Sequence, residues 1–125
     1  LIAVWIALED IEKTSGPLHY YPSSHKLPYL MHDDYDHGGN ALFLGKNTYA
    51  KYEEAVAKQL KEQPQLEKKL FLAKKGDILI WHANLLHGGN PILDESKSRK
   101  SMVLHYYAEE VICYHEVTQR PAITG

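Results

Sequence analysis

The run Gly76-Asp77-Ile78-Leu79-Ile80-Trp81-His82-Ala83-Asn84-Leu85-Leu86-His87-Gly88-Gly89-Asn90 decides how this chain is read. Ile78 to Trp81 is rich in β-branched and aromatic residues, and Lys74-Lys75-Gly76-Asp77 ahead of it is a turn signal, because glycine tolerates positive φ. A second short run, Leu85 to Gly89, follows almost at once and stops at the Asn90-Pro91 turn. Leu70-Phe71-Leu72 lies upstream, and a polar loop downstream reaches Ser98 before Ser101 to Tyr107 resumes a strand.

At the other end of the chain, Ile2 to Leu8 is apolar on both faces. Val4, Ile6 and Leu8 share one face and Ala3, Trp5 and Ala7 the other, which predicts a central strand. Thr14-Ser15-Gly16-Pro17 turns the chain into a strand at Leu18 to Tyr21. From Pro22 to Leu44 the residues predict loop. Asn47 then caps a helix in which Tyr49, Tyr52, Val56 and Leu60 recur at helical spacing, ending near Pro64. The order predicts an all-β fold, sandwich or barrel, with a helical insertion over about residues 26–65.

With 125 residues the chain is one domain at most, and 44% hydrophobic with 24% charged residues is a globular balance. A net charge of -2 excludes a broad nucleic-acid surface, which needs a basic excess. The lone cysteine, Cys113, forms no internal disulfide, so a cytoplasmic setting is the default, and no apolar run reaches membrane-spanning length. Eight histidines raise the question of a metal.

Three groups of residues are candidates for chemistry. His87 stands at a strand end and Arg99 heads the last strand twelve residues later. Imidazole binds Fe(II), and a guanidinium fork holds the carboxylate of a metal-bound acid. Alternation places His87 with Leu85 and Gly89, and Arg99 with Ser101, Val103 and His105. Second, His32-x-Asp34, with Asp33, Asp36 and His37 nearby, offers two ligands, but the favoured reading is a solvated acidic loop. Third, Trp5 between Ala3 and Ala7 leaves concave space beside its ring, as a small-ligand pocket needs, although core packing explains it equally well. His19, His25, His82, His105 and His115 have no mutual spacing that argues for a site.

In order along the chain come Val4-Trp5-Ile6-Ala7-Leu8-Glu9-Asp10, Gly16-Pro17-Leu18, Pro22-Ser23-Ser24-His25-Lys26, Gly76 to His82, Leu86 to Asn90, Arg99-Lys100-Ser101 and Leu104-His105-Tyr106. Together they resemble the phytanoyl-CoA dioxygenase family of Fe(II)- and 2-oxoglutarate-dependent oxygenases, and the tail Cys113-Tyr114-His115 is similar as well. The resemblance implies a double-stranded β-helix, a jelly roll with iron at its open mouth. It implies His87 as the distal iron ligand, Arg99 as the clamp on the far carboxylate of 2-oxoglutarate, and Trp5 lining the same pocket, with Ser101 a lesser candidate. Where a family member has serine two residues after that histidine, this chain has Gly89.

The family's H-x-D ligand pair precedes the tryptophan-bearing strand with which this sequence opens. The reading therefore expects a partial domain over 1–125 that lacks the first two core strands and two of three iron ligands, inactive alone, with His32 and Asp34 in the wrong connection to replace them. It also expects the strands of His87 and Arg99 to be open edges that promote self-association. A small-molecule substrate is expected and its identity is left open. The alternatives are a non-catalytic jelly roll that binds a small carboxylic acid, and an iron-dependent halogenase of the same fold.

Overall fold

A computed structural model describes residues 1–36 and 46–109. These residues fall into two compact units, one built from Leu1–Leu27 and Leu66–Ala108, the other from the described part of Pro28–Gln65 with Glu109.

The first unit holds all the strands: β1 (Ile2–Ala7), β2 (Leu18–Tyr20), β3 (Lys69–Phe71), β4 (Ile78–His82), β5 (His87–Gly89) and β6 (Ser101–Tyr106). They form two antiparallel three-stranded sheets, ordered β4-β1-β6 and β3-β2-β5. β1 is central, as its two apolar faces predict. In register, Trp5 lies between Leu79 and Val103, and Ala3 between Trp81 and His105. These residues face inward, and Val4, with Ile80 and Leu104, faces outward.

The inner faces meet through aromatic rings. Trp5 packs edge-on against Phe71 at 5.7 Å between centroids, and Trp81 lies 4.8 Å from the His87 ring. Ala3, Trp5, Ala7, Ile11, Leu18, Ala73 and Trp81 are the buried core, the two small alanines leaving room for the indole between them. Among the described residues, β5 and β6 each pair on one side only, so both stand at sheet edges. The turn ahead of β4 closes through the Asp77 N–H, which donates to the Lys74 carbonyl at 2.9 Å, with Gly76 at φ +90°.

Three expectations for the segment after β2 are corrected. Between Pro22 and Leu44 the chain is not all loop: Ser24–Lys26 is a 3₁₀ turn and His32–Tyr35 is a short helix, α1. The polar stretch is not simply solvated either. Asp33 and Asp34 are exposed, but His32 is 5% and Asp36 0% exposed. The i,i+4 spacing puts the last two on one side of the helical turn, where α2 (Thr48–Lys61) supplies the Thr48 hydroxyl and the Lys51 ammonium to the Asp36 carboxylate, at 2.5 and 2.6 Å. A paired and hydrogen-bonded carboxylate can be buried where an isolated one cannot. Asn47 does not cap α2 with its side chain. It sits at φ 58°, outside the extended conformation from which a capping side chain reaches back to the first turn. His37, Cys113 and His115 lie outside the described residues.

Candidate acid-binding site

Each residue of His87-Gly88-Gly89-Asn90 has a separate task. The His87 Nδ1 lies 2.8 Å from the Leu85 carbonyl. A carbonyl only accepts, so Nδ1 is the donor here, the kind of backbone contact that orients a metal-ligating histidine. Gly88 pairs with His19, whose ring covers the glycine so closely that a Cβ there would meet Cε1 at 3.0 Å. Burial, then the neighbouring Lys68 and His87, holds the His19 imidazole below its usual 6.5. At Gly89 the neighbour is Arg99: a Cβ would fall 2.8 Å from Nη1. The Asn90 backbone and side-chain N–H groups both donate to the Pro17 carbonyl, at 3.0 and 2.9 Å, tying the Gly16-Pro17 turn to the end of β5.

That turn matters because Arg99 Nη1 donates to the Gly16 carbonyl at 2.7 Å. The guanidinium is half-buried and thus anchored on backbone. Glu9 fixes the chain on either side of it, one carboxylate oxygen accepting from the Ser98 hydroxyl and from the Lys100 N–H, both at 2.7 Å. The Ser98 hydrogen bond, followed by that of Lys100, holds the Glu9 carboxyl below its usual 4.5. At the other end of β5, the Leu86 N–H donates to the Ser24 hydroxyl at 2.8 Å and the Tyr21 N–H to the Leu86 carbonyl at 3.0 Å, so the Pro22-Ser23-Ser24-His25 segment sets where β5 begins.

Of the residues singled out from sequence, His87 is exposed on β5, Arg99 is docked at Gly89, and Ser101 pairs with Ala7 on the inward face. Trp5 is 3% exposed, within the core. Asp34 accepts the Met31 N–H at 2.7 Å and serves to start α1. Sequence reasoning missed the positioning roles of Gly16, Ser24, Asn90 and Glu9. All four lie inside quoted motifs, and that was the only signal available. Among the described residues no three His, Cys, Asp or Glu side chains gather, so they supply no complete iron centre by themselves, and His87 is the single imidazole at this place.

Among the described residues, β5 thus carries the exposed His87, and the Arg99 guanidinium is seated against Gly89 two residues further along that strand. The chain belongs to the phytanoyl-CoA dioxygenase (PhyH) family, whose sequence profile matches residues 1–101 and so includes both His87 and Arg99. It is 28% identical over 111 residues to the peroxisomal phytanoyl-CoA dioxygenase of Bos taurus, and 26% identical over 108 residues to that of Rattus norvegicus. Each alignment covers 85% of this chain and 28% of the relative, so the chain spans little more than a quarter of their length. No solved structure matches it significantly. Among the described residues, no helix is long and apolar enough to cross a membrane.

Proposed function

We propose that this chain serves an Fe(II)- and 2-oxoglutarate-dependent dioxygenase reaction, in which Arg99 takes the far carboxylate of 2-oxoglutarate and His87 is one of the iron ligands. The observation that carries the reading is the seat of Arg99 beside Gly89, on the strand face that also bears His87. Two residues along a strand span about 7 Å. A short dicarboxylate bridges such a distance, one end toward the histidine and the other on the guanidinium. The strand order, β4-β1-β6 facing β3-β2-β5, supports the double-stranded β-helix reading.

In this reading iron would supply the oxygen chemistry once held by a full ligand set. The chain's own residues do the rest. Arg99 neutralises and orients the acid, the Leu85 carbonyl keeps the His87 tautomer, and Trp5, Trp81 and Phe71 close the interior behind them to water. Because the described residues offer iron a single imidazole at this place, acid binding here is expected to be independent of metal.

Calorimetric titration of the chain with 2-oxoglutarate tests the proposal. One acid should bind per chain, and Arg99→Ala should weaken binding by about tenfold or more, the worth of a lost charge-assisted hydrogen bond. His87→Ala should leave metal-free binding within about twofold, since it removes no donor to the carboxylate. Binding unchanged by Arg99→Ala would refute it.

A further inference from the structure

Glycine on β5 is not demanded by the backbone. The positive-φ glycines of the described residues are Gly16 and Gly76, whereas Gly89 keeps an ordinary strand conformation that alanine adopts readily. Nor does core packing demand it, because Gly89 is exposed. What its missing side chain admits is the end of Arg99: from the position of a Cβ, Nη1 lies at 2.8 Å, Nη2 at 3.4 Å and the central guanidinium carbon at 3.5 Å. A methyl group cannot share that space with Nη1.

The acceptor that the guanidinium reaches is itself immobilised. Gly16 has φ +73°, and a Cβ there would strike the Asn90 carbonyl oxygen at 2.8 Å, so this turn is fixed to the end of β5. The two Asn90 donors to the Pro17 carbonyl fix it a second time. Gly89, the Gly16 carbonyl and Asn90 thus form a rigid seat for one long side chain, and Glu9 grips the backbone on both sides of it.

We infer that Gly89 is a positioning residue of the acid site: its empty Cβ position seats the Arg99 guanidinium on the Gly16 carbonyl, so that a carboxylate meets an arginine already oriented. The inference deepens the proposed 2-oxoglutarate site and rests on it for the identity of the acid, but the seating itself does not. Adding a side chain at position 89, even a hydroxyl-bearing one that could donate to a carboxylate, therefore weakens acid binding, because it displaces Arg99. The backbone is untouched and the displaced group is the far end of a flexible side chain, so the fold tolerates the change.

Two measurements on the full 125-residue chain decide the matter. In the ligand-free protein with isotope-labelled arginine, NMR should show restricted rotation and resolved Nη protons for Arg99, and Gly89→Ala should average them as in a free arginine. An unaltered Arg99 signature in Gly89→Ala overturns the inference, whether or not 2-oxoglutarate binds. In titrations with 2-oxoglutarate, Gly89→Ala and Gly89→Ser should each weaken binding by about tenfold with little change in melting temperature. In an Arg99→Lys background, which has no fork to displace, Gly89→Ala should change affinity by less than about twofold. Tighter binding by Gly89→Ser, or an equal loss in both backgrounds, overturns the inference. If the wild-type chain shows the ordered Arg99 signature but binds no 2-oxoglutarate, the proposed function fails and the seating stands.

Discussion

Glu9 takes no part in acid chemistry, yet it holds residues 98 and 100 and thereby the backbone from which Arg99 projects. Glu9→Ala should loosen that entry and weaken 2-oxoglutarate binding severalfold. Asp10→Ala, which releases only Lys74 and Lys75, should leave binding unchanged, and calorimetry on the two variants checks the contrast. His19 makes a prediction about pH. Its imidazole is held below 6.5, so the folded state resists a proton that the unfolded chain accepts. The stability this provides is complete above the unfolded value and is lost as pH falls below it toward the depressed folded value. Melting temperature should therefore decline as pH drops below 6.5, and His19→Gln should flatten that part of the profile. At this scale the sequence was informative about which residues lie together and less so about what they do. His87 and Arg99 announce themselves by residue type, whereas Gly89, Asn90 and Glu9 act through backbone and empty space, which no side-chain pattern records.

Among the elements, β1 was the most legible, because a strand apolar on both faces belongs in the middle of a sheet. α1 was the least legible. His, Asp and Tyr carry no helical periodicity over so short a length, and the burial of Asp36 comes from Thr48 and Lys51, twelve and fifteen residues away. Lys51→Met should cost about 1.5–3 kcal/mol, the range for a hydrogen bond to a charged group, and be seen as faster amide exchange in α1 and α2. Among the described residues β6 is an unusual edge: Met102, Val103, Leu104 and Tyr106 are exposed on its two faces, and none of its residues is a lysine or proline that would guard it. Such a strand invites pairing. Sedimentation velocity should show mass rising with concentration, and Leu104→Lys should suppress the rise; a monomer at every concentration would count against this.

On the scale of the whole chain, few side chains hold the two sheets together. Trp5 spans them through Phe71, so Trp5→Ala should cost about 3–5 kcal/mol, a large part of the ~5–15 kcal/mol that stabilises a typical domain, and denaturant titration should find the unfolding midpoint moved to much lower denaturant. The same core includes Trp81, whose ring lies beside His87 at the proposed acid site, so Trp5→Ala should weaken acid binding as well as stability. The β-rich architecture was legible because its strands are short, apolar and punctuated by Gly and Pro. Whether Arg99 meets the acid can be read from its side-chain NMR signals while 2-oxoglutarate is added. A saturable shift at Arg99 should appear with the same dissociation constant as calorimetry, and should be absent when succinamide, which carries no carboxylate, replaces the acid. Saturable binding that moves surface lysine signals and leaves Arg99 unchanged would contradict it.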